Sequence, residues 1–209
     1  MKAKKYMWWI VGGVFLSAAT LWGPIVSNVE QAKYSVAISQ DNIEIRDYSP
    51  MIIAEVEVSG KREEAINKGF RAIADYIFGN NTSSQKIAMT APVQQTSEKI
   101  AMTAPVKQEG EGSDWKVSFV MPSSYNMQTL PKPNNDLVKL REITGKRFAV
   151  IRFSGLAGEE SLNKHSEELN AFINSKKLNV ISKQIYAFYN PPWTMPFLRR
   201  NEIMVEIAR

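Results

Sequence analysis

The chain has 209 residues, 44% hydrophobic and 22% charged, enough for one folded domain plus a terminal appendage. It has no cysteine, which excludes disulfides, thiolate metal sites and a cysteine nucleophile. Its net charge of +5 falls to a body of 23 basic and 21 acidic residues once three N-terminal lysines are set aside, too balanced for a nucleic-acid surface with its clustered cations.

Lys2, Lys4 and Lys5 precede 24 uncharged residues, 6–29, of which 7–26 are almost wholly apolar. About 20 such residues cross a bilayer core. With lysines before the run and Glu30 and Lys33 after it, the N-terminus is expected in the cytoplasm. Residues 1–29 are therefore expected to form one transmembrane helix of an inner membrane, holding residues 30–209 in the periplasm. Trp8, Trp9 and Trp22 lie near its two ends, where indoles favour the interface. The alternative is a signal peptide cleaved near Ser17-Ala18-Ala19, which would leave a soluble periplasmic body. Apolarity resumes at Leu21, which favours a retained anchor.

In the body, Ile43-Glu44-Ile45-Arg46 alternates with period two, as do Ala54, Val56 and Val58 against Glu55 and Glu57. Residues 61–78 then carry Ile66, Phe70, Ile73 and Ile77 at helical spacing, with Gly79 placed to end the helix. Residues 94–98 and 107–114 are polar and read as loops. Trp115, Val117, Phe119 and Met121 share a strand face. Residues 147–153 form another strand, and Leu162, Leu169, Phe172 and Ile173 make a second helical stripe in 159–177. Residues 184–189 and 202–207 close the set as strands. The order predicts an α+β domain of two repeated β-α-β-β halves, antiparallel, with both helices outside the sheet or barrel.

The octapeptide KIAMTAPV stands at residues 86–93 and again at 99–106. Methionine is a soft gap-filler, threonine favours strands and proline ends ladder pairing, so both copies read as strand segments, with a hairpin around 94–98. Core packing is also the simpler use of Met89 and Met102, although thioethers can ligate haem iron. The octapeptide closely resembles the signature of the SOUL haem-binding family. IEIRDY at 43–48, EEAINKGFRAIADYIFGN at 63–80, WKVSFVMP at 115–122 and NPPWTMPFLRRNEI at 190–203 follow that family in order.

The resemblance implies a distorted β-barrel with two flanking helices. It also implies a shallow groove for haem or another tetrapyrrole between the first helix and the loop joining the last two strands. Carried over residue by residue, the groove would use Asn67, Phe70, Ile73 and Ala74 with Trp193, Thr194, Met195 and Phe197. Some relatives offer basic groups to the propionates where this chain has Asn67, Asp75 and Thr194, and some a histidine in the segment where Asp47 stands. A carboxylate at Asp75 would repel a propionate.

His165, the only histidine, lies at the edge of the second stripe. It could ligate haem iron, but a half-covered, hydrogen-bonded boundary residue is the simpler use. Arg200 and Glu202 are expected to pair at a strand entry, the rival being an anion site at 199–202. Ser161, His165 and Glu168 share one helix and cannot form a catalytic triad. The function expected is non-enzymatic binding of haem or a flat apolar ligand by an exported envelope protein. A structural or interaction protein that keeps the fold without haem is the alternative. An enzyme would have to use Tyr76, Glu64 or Tyr186.

Overall fold

The computed structural model describes residues 29–83, 98–191 and 193–209. The chain enters through β1 (Glu30–Gln31), β2 (Tyr34–Gln40), β3 (Ile43–Tyr48) and β4 (Met51–Ser59), then forms α1 (Arg62–Ile77). The short β5 (Asn81–Thr82) and β6 (Thr103–Ala104) lead to the hairpin of β7 (Val106–Glu111) and β8 (Asp114–Val120). β9 (Lys132–Pro133), β10 (Lys139–Ile143) and β11 (Arg147–Phe153) come next, followed by α2 (Glu159–Ser175), β12 (Val180–Phe188) and β13 (Asn201–Ile207).

Nine strands form one antiparallel sheet in the order β10-β4-β8-β7-β12-β13-β11-β3-β2. β4-α1-β7-β8 and β11-α2-β12-β13 are the two repeated halves, and they meet where β7 pairs with β12. The strand preceding each half crosses to the far side of the other: β3 lies beside β11, and β10 beside β4. β10 and β2 are free edges, so the expected barrel is corrected to a curled, open half-barrel. Both edges are largely exposed, and β2 shows Val36 and Ile38 to solvent.

Strand alternation gives the sheet two apolar faces. α1 covers Ala54, Val56, Val117 and Phe119, while α2 covers Ile45, Ala149, Ile151 and Ile203. The opposite face carries Tyr48, Ile53, Phe148, Val150, Ile185 and Met204, a cluster with no helical residue in it.

α2 buries the four stripe residues predicted for it. α1 is rotated from its predicted stripe: it buries Ala65, Gly69, Ile73, Tyr76 and Ile77, leaving Phe70 38% exposed. The cause is Gly69, where a Cβ would stand 2.5 Å from the Cβ of Val117. The helix backbone presses onto β8 along its small residues, and the larger Phe70 is turned to the rim.

Residues 107–114, read as a loop, are instead mostly strand: β7 occupies Val106–Glu111 at the middle of the sheet. The second octapeptide is also different from its expected strand. Only Thr103–Ala104 bridge to β1, in parallel, and Val106 opens β7. Ile100 is instead buried against the end of α1, its N–H donating to the Ile77 carbonyl at 2.9 Å. The first octapeptide, the hairpin turn at 94–97 and nearly all of the expected anchor lie outside the described residues. Among the described residues no helix is long and apolar enough to cross a membrane.

Candidate functional site

On the helix-bearing side, Asn67 and Phe70 present an exposed surface of α1. Arg71 shares that surface, its Nε donating to the Asn67 carbonyl at 3.3 Å, so one exposed cation stands beside the proposed ligand residues. Ile73 and Ala74 face the sheet and are buried in the core. Phe70 leans back on Phe119, ring centroids 5.5 Å apart.

In the loop between β12 and β13, Thr194 is buried, while Trp193 is 75% and Phe197 69% exposed, with Met195 and Leu198 also open to solvent. Pro196–Leu198 form a 3-10 turn that buries none of its residues. The Thr194 N–H donates to the Pro191 carbonyl at 3.0 Å and Arg199 Nε to the Thr194 carbonyl at 2.8 Å, so the loop is closed on its own backbone.

Loop and helix are linked through the segment after β11. The Gly155 N–H donates to the Pro196 carbonyl at 2.9 Å, and Arg62 Nη2, at the start of α1, donates to the Ala157 carbonyl at 3.3 Å. Exposed Leu156 lies between those two ties. Of the eight residues singled out by sequence, Asn67, Phe70, Trp193, Met195 and Phe197 are surface groups, while Ile73, Ala74 and Thr194 are interior. Gln108, which sequence reasoning passed over, is fully buried beneath the same corner: its Nε2 donates to the Arg62 carbonyl at 2.9 Å, and its Oε1 meets no protein donor.

His165 is committed elsewhere. Its Nδ1 bonds the Ser161 carbonyl at 2.8 Å, and its ring stacks on Phe153 at 4.1 Å between centroids. Asp47, standing where a histidine was looked for, accepts two hydrogen bonds from Arg147 at 2.9 and 2.7 Å. That guanidinium holds its carboxyl below the usual range. Asp75 accepts from Asn80 Nδ2 at 2.6 Å.

The helix-free face carries a buried ionic network. Glu202, 1% exposed, accepts from Arg46 Nη1 at 2.9 Å and the Tyr189 hydroxyl at 2.6 Å on one oxygen. Its other oxygen accepts from Arg200 Nε and Nη2 at 2.9 and 2.7 Å. Burial alone would raise this carboxyl, but Arg46 and Arg200 bring it below its ordinary value. The pairing of Arg200 with Glu202 was expected; the second arginine, 2% exposed and 156 positions away, was not.

Among solved structures the chain is similar to the EcmrR C-terminal domain, at TM-score 0.58 and 8% identity, over 84% of this chain and 98% of that one. A hydrolase from Listeria innocua matches at TM-score 0.53 and 12% identity, over 82% and 94% of the two chains. An uncharacterized conserved protein from the same organism matches at 0.55 and 13%, over 81% and 93%. At such identities these likenesses show the fold alone. No curated protein sequence matches the chain. The family model described as SOUL heme-binding protein matches residues 29–206, which takes in all thirteen strands' shared framework and both helices up to the last strand. In the described octapeptide Ile100, Thr103 and Ala104 are buried, while Met102, expected in the core, is 39% exposed; on the family match over residues 29–206, this chain belongs to the SOUL haem-binding protein family.

Proposed function

We propose that the chain binds haem or a related flat tetrapyrrole without catalysing a reaction, as an exported protein held at the cell envelope by residues 1–29. The observation that carries this reading is the open aromatic loop of Trp193 and Phe197, facing solvent in a member of a haem-binding family. Large apolar groups gathered in the open mark a surface meant to be covered. A macrocycle would cover Trp193, Met195 and Phe197 on one side and Phe70 on the other. Arg71 would meet a propionate, a cation that the family-matched positions Asn67 and Thr194 do not supply. Asp75, one turn further along α1, is occupied with Asn80.

Iron coordination by His165 has no support, since that ring is stacked and hydrogen-bonded on α2. The reading is therefore of apolar, reversible contact. A catalytic reading is weaker still: the Tyr76 hydroxyl donates to the Pro131 carbonyl in the core, and Tyr186 lies under Arg62 on the other half. Neither converges with Glu64 on a common point.

Titrating the protein with haemin and following the Soret band tests the proposal. One saturable shift is expected, weakened about tenfold or more when Trp193 and Phe197 are both replaced by alanine. The committed histidine favours the rival reading, an envelope interaction protein that keeps the fold without the ligand. Absence of saturation would select it.

A further inference from the structure

The helix-free face holds a second feature that the haem reading does not use. A cavity of about 320 Å³ opens there across the seam of the two halves, with Tyr48, Phe148, Ile53 and Ile185 among its walls. Four cations line it, and three are already neutralised: Arg141 by Glu55 at 2.9 Å, Lys146 by Glu206 at 2.6 Å and Lys116 by Glu57 at 3.2 Å.

Lys107 is different. It rises from β7 into the cavity, its Nζ 5.3 Å from the Tyr48 ring centroid and 5.8 Å from that of Phe148. Among the described residues it has neither an ion-pair partner nor a hydrogen-bond acceptor. Burial pushes its ammonium down to about 8, against the pull of Glu202 and Glu109. Two aromatic faces are partial compensation for a desolvated ammonium, and a carboxylate would be a fuller one. β7 thus carries a cavity-lining lysine and a buried glutamine in the middle of the sheet, a departure from local rules of the kind found at functional or strained sites.

We propose that this cavity is a second ligand site, taking a small organic monocarboxylate whose acid group meets Lys107 and whose apolar body lies on Tyr48, Phe148, Ile53 and Ile185. The volume is at the low end of roughly 300–1,000 Å³ ligand pockets, which suits a single-ring acid. Glu109, two residues along the same strand face and itself without a partner among the described residues, sets the charge limit, with the exposed carboxylate of Glu142 at the rim. It repels a dianion such as a phosphate monoester, while Lys107 repels an amine.

The test uses the full chain and three probes with similar bodies: 3-phenylpropanoate, phenyl phosphate and 3-phenylpropylamine. Calorimetry should show saturable binding of the monocarboxylate only, weakened at least about tenfold by Lys107→Met, which keeps the apolar stem. It should be unchanged in the Trp193→Ala variant, since no residue of the loop between β12 and β13 lines the cavity. In the wild-type protein, the monocarboxylate should also slow acylation of Lys107 by an amine-reactive ester, read by peptide mass spectrometry. This second readout decides the matter if the variant does not fold. Equal affinity in Lys107→Met, equal binding of the amine, loss in Trp193→Ala or no protection of Lys107 would each overturn the proposal.

Discussion

Glu202 shows what a single buried charge demands. Its carboxylate is out of water, so each of its oxygens has to be matched by donors, and Arg46, Tyr189 and Arg200 supply them. Arg46 is further tied to Glu44 Oε2 at 2.6 Å. Replacing Glu202 with glutamine keeps the shape, removes the counter-charge of Arg200 and leaves Arg46 with Glu44 alone. The expected loss is about 3–5 kcal/mol in urea denaturation. Because the network lowers the carboxyl below its ordinary value of 4.5, the wild-type protein gains stability from it above that pH and loses it as the pH falls. Asp47 contributes to the same acid limb. The measurement is therefore the difference: Glu202→Gln should be less stable at neutral pH and converge on the wild type in acid. A constant gap across pH would refute the assignment. The pairing of Arg200 with Glu202 could be read from two positions at the entry to one strand. That of Arg46 could not, because nothing local joins β3 to β13, which lie on either side of β11.

At the scale of elements, α1 and β7 mark where local pattern stops being enough. The four predicted stripe positions of α2 are all buried, because large apolar residues stand on the side that meets the sheet. In α1 the sheet-facing line runs through Ala65, Gly69 and Ile73, and a periodicity count weighted by size chooses Phe70 instead. Helix propensity alone predicts that Gly69→Ala would stabilise by up to about 1 kcal/mol. The added methyl would lie 2.5 Å from Val117 Cβ, on a strand held from both sides by β4 and β7, so overpacking should win. A net loss of about 1–3 kcal/mol is expected, largely recovered by adding Val117→Ala. A stabilised Gly69→Ala would show that the helix sits further from the sheet. β7 was missed for another reason. Val-Lys-Gln-Glu-Gly-Glu is the composition of a surface turn, yet it forms a central strand whose Lys107 faces the cavity and whose Gln108 lies under α1.

For the whole molecule, the order of strands and helices fixed the two-half plan, but not the exchange of β3 and β10 between halves, since pairing across such distance leaves no periodic trace. That exchange has a consequence for autonomy. Each half completes its sheet only with a strand from the other, so neither can close alone, and residues 29–209 supply three apolar clusters of their own among the described residues. A chain lacking residues 1–28 should therefore fold with the same thermal midpoint as the full chain and remain in the supernatant after ultracentrifugation. The full chain should sediment with membranes and resist extraction by salt or alkali, because 24 uncharged residues are long enough to span the bilayer core. Detergent should release it at its full mass of 23.6 kDa. A soluble product shortened by the segment up to Ala19 would instead establish a cleaved leader, and an unshortened chain in the supernatant would remove the anchor altogether. The start of the folded body bears on which outcome counts for ligand capture. Gln31 Oε1 accepts from Arg200 Nη1 at 3.0 Å, and Arg200 follows directly on the aromatic loop. A retained anchor would then hold Trp193 and Phe197 close to the bilayer, where an apolar macrocycle partitions.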